Sequence, residues 1–124
     1  MLAIAIWTML LGVSLAYGAY DCGDAPDTDG CSAWSIVPYK SRFRSSCDKH
    51  DVCYSCGRTF GVTRSQCDKE FKSDMYAACR GGWWCKKVAY LYYKAVDWHG
   101  YKYYVQTKPA WCKAQTWYRT ECMP

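Results

Sequence analysis

The chain runs to 124 residues and carries a formal charge of +5, ten cysteines and 18% aromatic side chains. A length of this order accommodates one modest domain. It contains no asparagine, which excludes N-glycosylation, and after residue 18 no apolar run is long enough to span a bilayer.

Taken in chain order, Met1 to Gly18 holds no charged side chain, and Ala16 and Gly18 supply a small-x-small end. That pattern reads as a secretory signal peptide over 1–18, since the run is short for a membrane anchor and lacks a basic flank. A single exported domain over 19–124 is expected to follow. Residues 19–44 scatter Gly23, Pro26, Gly30 and Pro38 among short polar residues and read as irregular loop. Ser45 or Ser46 can cap a helix carrying Cys47 to Cys56 and stopping at Gly57. Thr63-Arg-Ser-Gln66 is a capping box, opening a second helix with Cys67, Phe71, Met75, Ala78 and Cys79 on its apolar stripe. Gly81-Gly82 ends it, and 83–98 predicts a third helix stopped near Gly100. Alternation over 101–105 permits a short strand or hairpin arm.

The cysteines fall at 22, 31, 47, 53, 56, 67, 79, 85, 112 and 122, all beyond the leader. An even count in a short exported chain reads as a disulfide framework, which compensates for a small core. Zinc is the competing use of Cys53-x-x-Cys56 beside His50, and export argues against it, because oxidised sulfur does not ligate metal.

Charge is unevenly distributed. Asp21, Asp24, Asp27 and Asp29 precede the first basic residue of the exported part, Lys40. From Arg80 to Arg119 there are eight basic residues and one acid, Asp97, interleaved with rings such as Trp83, Trp84, Tyr90 and Trp98. Rings and lysines together suit a lipid–water boundary or single-stranded nucleic acid, and export argues against the latter. The same rings could simply fill a core poor in Leu and Ile.

The densest chemistry lies in Cys47-Asp-Lys-His50-Asp51-Val-Cys53-Tyr54. On a helix, Cys47, His50, Asp51 and Tyr54 share one face, placing a proton acceptor beside a carboxylate suited to a hard cation. This segment, with Cys67-Asp68 on the second helix and Asp29-Gly30-Cys31-Ser32 twenty-one positions before His50, resembles secreted phospholipase A2 over roughly residues 29–79. The likeness is nearest the bacterial and fungal branch and the conodipine group of venom phospholipases. Ser46-Cys47 stands where the animal enzymes have a cysteine doublet, and their long Gly-rich calcium loop has no counterpart here.

The resemblance implies a mainly α, disulfide-rich fold with two antiparallel, disulfide-linked helices and a calcium-binding loop. It implies His50 as the general base that activates water, Asp68 as the carboxylate orienting it and Tyr54 as support for that carboxylate. Asp74, also on the second helix, is the rival for the Asp68 role, on the opposite face. Calcium is the implied cofactor, held by Asp51 together with Asp29 and the carbonyl of Gly30. The implied bridges are Cys53–Cys67, which would clamp the two helices, and Cys31–Cys47, which would tie the calcium loop to the first; six cysteines remain unassigned. His99 matches no motif and is expected at the surface.

The activity so implied is calcium-dependent hydrolysis of the sn-2 ester of a glycerophospholipid by a secreted, extracellular enzyme in peripheral contact with a membrane. A non-catalytic toxin of the same fold, acting on a protein receptor or channel, is the alternative, and Asp51 favours the enzyme. A purely structural disulfide scaffold is a third class, and calcium titration separates it from the other two.

Overall fold

A computed structural model describes residues 21–31 and 38–124. The leader expected at 1–18 and the start of the domain expected at 19 lie outside the described residues. Among the described residues four helices carry the fold: α1 (Arg44–Phe60), α2 (Arg64–Ala78), α3 (Trp83–His99) and α4 (Thr116–Cys122). Short 3-10 turns occupy Cys22–Asp24, Gly100–Lys102 and Ala110–Lys113, and no strand occurs among the described residues.

The first helix is longer at both ends than the sequence predicts. It begins behind Phe43, with no side-chain cap, because Phe43 itself is fully buried and anchors the entry. It also runs through Gly57, where the phenol of Tyr104 fills the space a side chain would take. The stop is Gly61, whose φ of 70° is the left-handed conformation that closes helices, with the Val62 N–H turned back to the Gly57 carbonyl.

The second helix opens as its sequence dictates. Thr63 accepts from the Gln66 N–H, and the Gln66 side chain accepts from the Thr63 N–H, a reciprocal capping box. Only residues 61–63 separate α1 from α2, so the two helices lie antiparallel, and Cys53–Cys67 bonds them covalently. Left-handed Arg80 and Gly81 turn the chain toward α3, and Cys79–Cys85 pins the turn.

Two apolar clusters flank α1. Phe43, Phe71, Met75, Val88, Ala89 and Tyr92 pack where α1, α2 and α3 meet. Val52, Cys56, Cys112 and Tyr118 fill the other side, beneath α4. Each large apolar side chain buried this way contributes about 1.5–3 kcal/mol. Five disulfides take up all ten cysteines: the two implied by the resemblance, together with Cys22–Cys122, Cys56–Cys112 and Cys79–Cys85.

Residues 101–105 do not form a strand. The main chain of this segment bonds to the body of α1 instead, with the Val105 N–H on the Tyr54 carbonyl at 3.0 Å, and Tyr104 turns inward to donate to the Val62 carbonyl. α4 went unforeseen, since its seven residues carry no capping signal.

Candidate active site

α1 presents His50 and Asp51 side by side and Tyr54 one turn on, and α2 presents Asp68 one residue beyond the Cys53–Cys67 bridge. The bridge sets the register between the helices, and the side chains meet as that register demands. His50 Nε2 lies 2.8 Å from Asp68 Oδ1, with the imidazole 8% exposed and the carboxylate 1%. A carboxylate only accepts, so the proton sits on Nε2 and the lone pair on Nδ1.

Asp68 is held by more than the histidine. Tyr54 Oη donates to the same Oδ1 at 2.6 Å, and Arg64 Nη1 approaches Oδ2 at 3.3 Å. An ionised carboxylate this deeply buried needs such partners, because an unpaired one would cost several kcal/mol, roughly. Burial, followed by the hydrogen bond to Asp68 and then its charge, pushes the Tyr54 hydroxyl well above the usual phenol range, so it stays a donor. Phe71 stacks on the imidazole with centroids 4.5 Å apart and Tyr54 lies against it at 4.1 Å, so the ring has little freedom to turn.

The next residue along α1 faces the loop before it. The Asp29 N–H donates to Asp51 Oδ2 at 3.2 Å, and Cys31–Cys47 straps that loop to the helix. Burial raises the Asp51 carboxyl to about 8, with the adjacent Asp29 and Asp48 carboxylates adding to the rise and the Asp29 N–H opposing it. Crowded carboxylates, with Asp48 buried, Asp51 half-buried and Asp29 at the surface, form a site whose repulsion a hard cation relieves, and the oxygen-only donors suit calcium. Among the described residues no three acidic, histidine or cysteine side chains converge on one point. An ion here would therefore complete its shell from main-chain carbonyls, Gly30 among them, and water. Gly30 adopts a φ of 63°, the left-handed conformation that shapes this turn.

Three residues of this region were not singled out from the sequence. Arg64 precedes Asp68 by four, an i,i+4 charge pair that could have been read as such. Phe71 follows Asp68 by three and was seen only as core. Asp48 lies one turn before Asp51, buried and facing Gly23 and Gly30; burial pushes its carboxyl up, Arg44 opposes, and Asp21, Asp24 and Asp29 add to the rise. Asp74 does not join the dyad, and burial then Glu70 raise its carboxyl. His99 is exposed.

A family model described as prokaryotic phospholipase A2 matches residues 22–100, which include both helices and the loop before them. The chain belongs to this family. Among its relatives, Conodipine-P3 from Conus purpurascens is 41% identical over 83 residues, covering 64% of this chain and 46% of that protein. Conodipine-P2 from the same snail is 39% identical over the same span, and Conodipine-M alpha chain from Conus magus is 40% identical over 57 residues, 74% of its length. The chain thus spans about half the length of the conodipine-P relatives it matches. The mainly helical, disulfide-rich phospholipase A2-like fold expected from the sequence is the one observed. No helix among the described residues is long and apolar enough to cross a membrane.

Proposed function

We propose that the chain is a calcium-dependent phospholipase A2, exported behind its 1–18 leader and acting on the sn-2 ester of glycerophospholipids at a membrane surface. The observation that carries this reading is the buried His50–Asp68 pair at 2.8 Å, with Asp51 adjoining His50 and facing Asp29. With Nε2 committed to Asp68, His50 Nδ1 has the free lone pair that a general base requires. It takes a proton from water as the water oxygen bonds to the ester carbonyl carbon. Asp68 steadies the imidazolium that results, and Tyr54 and Arg64 hold Asp68 in place. The tetrahedral adduct collapses by breaking the bond to the glycerol oxygen, and the imidazolium returns its proton to that oxygen. The products are a lysophospholipid and a free fatty acid.

Asp51, Asp29 and the Gly30 carbonyl would hold the calcium ion. When bound, the ion supplies Lewis-acid polarisation of the ester carbonyl and charge for the oxyanion and phosphate. The three groups sit on α1 and on the loop that Cys31–Cys47 straps to it, so the cation site and the base share one rigid support.

Release of fatty acid and lysophospholipid from phosphatidylcholine is the test. Hydrolysis should require calcium and stop with chelator, and His50→Gln should lower turnover by roughly 10²–10⁴-fold with the circular dichroism spectrum unchanged. Undiminished release by the His50→Gln protein would overturn the assignment. Calcium binding without any hydrolysis would favour a receptor-binding toxin instead.

A further inference from the structure

Away from the dyad, α3 turns an unusual face outward. Its inner side, Cys85, Val88, Ala89 and Tyr92, is buried. On the outer side Trp84, Lys87, Leu91, Lys94 and Trp98 recur at alternating spacings of three and four, which aligns them in one stripe. At ~1.5 Å per residue the stripe is about 21 Å long. Trp84 is 55% exposed, Leu91 65% and Trp98 67%. The cations lie against rings: Lys87 Nζ is 5.1 Å from the Trp83 centroid, and Lys94 Nζ is 5.5 Å from that of Tyr90.

Large apolar side chains left in water along one helix face mark a contact surface. We propose that this face of α3 docks on an anionic phospholipid surface. Three observations select that occupant. Indole and phenol rings combine an apolar body with a polar tip, which suits headgroup depth. Lys87 and Lys94 punctuate the stripe at the level of the rings, where anionic headgroups would meet them. A second copy of the chain would set the same lysines against one another across a twofold axis, which opposes self-association. Arg64 donates to the Val96 and Asp97 carbonyls and to Asp68, so a lipid-bound α3 carries the dyad with it as one rigid piece. The proposal rests on the phospholipase reading for why a lipid surface is met, yet it can be scored with hydrolysis switched off.

The experiment is co-sedimentation of the oxidised protein, in chelator, with vesicles of equimolar phosphatidylcholine and phosphatidylglycerol. The wild-type protein should bind, less on phosphatidylcholine alone and less as salt rises. Trp84→Ala/Leu91→Ala/Trp98→Ala should weaken binding by about tenfold or more. Lys87→Gln/Lys94→Gln should weaken it by about fivefold per lysine. Both variants change positions on the outer side of α3, none of them buried, and the rate on a monomeric short-chain phospholipid with calcium should stay at the wild-type value. Unchanged vesicle binding in both variants overturns the proposal, as does equal binding to neutral vesicles or a dimer that the triple variant dissolves. Vesicle binding by a wild-type protein inert on the monomeric substrate would sink the phospholipase reading and leave docking standing.

Discussion

Asp68 is the residue on which the site turns. One carboxylate accepts from His50 and Tyr54 on one oxygen and from Arg64 on the other, in a place almost without water. Arg64 differs from the other two partners, because it supplies a full charge and also grips the end of α3. As a positioning residue it should act on the imidazole through Asp68. Arg64→Met should lower kcat by up to about 10²-fold, the scale of a misplaced catalytic group, with smaller effect on KM. Arg64→Lys should recover only part of the rate, because lysine keeps the charge without the planar fork that spans Asp68 and the α3 carbonyls. An Arg64→Met protein whose kcat, corrected for its folded fraction, equals the wild-type value would assign Arg64 a structural role only.

Between helices, the register of α1 against α2 decides whether the dyad exists. Three linking residues and the Thr63–Gln66 capping box start α2 at a set distance from Gly61, and Cys53–Cys67 removes the remaining freedom to slide. Removing that bridge as Cys53→Ala/Cys67→Ala should cost about 3 kcal/mol, the entropy of closing a loop of this size. Chemical denaturation measures the loss. Activity should fall further than the folded fraction explains, because the His50–Asp68 contact spans the same gap. The α2 and α3 boundaries were legible because caps and glycines punctuate them. The α1 boundaries were not, since Phe43 and Gly57 take their roles from Tyr92 and Tyr104, which are distant in sequence.

At the scale of the molecule, Cys22–Cys122 ties the first described turn to α4 across 100 residues. With Cys31–Cys47 and Cys56–Cys112 as shortcuts the closed loop shrinks to about thirty residues, so its removal should cost about 3–4 kcal/mol. Cys79–Cys85 closes six residues, and its removal should cost only about 2 kcal/mol. Comparing denaturant midpoints of Cys22→Ala/Cys122→Ala and Cys79→Ala/Cys85→Ala checks the order, and a reversal would point to native-state strain over chain entropy. The charge of +5 conceals a division of labour. Asp21, Asp24, Asp29 and Asp48 interact around one end of α1, while Lys87 and Lys94 line the outside of α3.

Helical periodicity alone put Cys47, His50, Asp51 and Tyr54 on one face of the first helix, while Asp68 and two of the five bridges were implied by the resemblance of the motifs to secreted phospholipase A2. The helical class was readable from caps, glycines and cysteines. The third anchor from Arg64 and the pairing of the other six cysteines emerged only when the helices packed. So did the division of the aromatics into buried Tyr54, Tyr92 and Tyr118 and outward Trp83, Trp84 and Trp98. Spacing specifies direction within one helix; which partner waits in that direction depends on contacts between segments far apart in the chain.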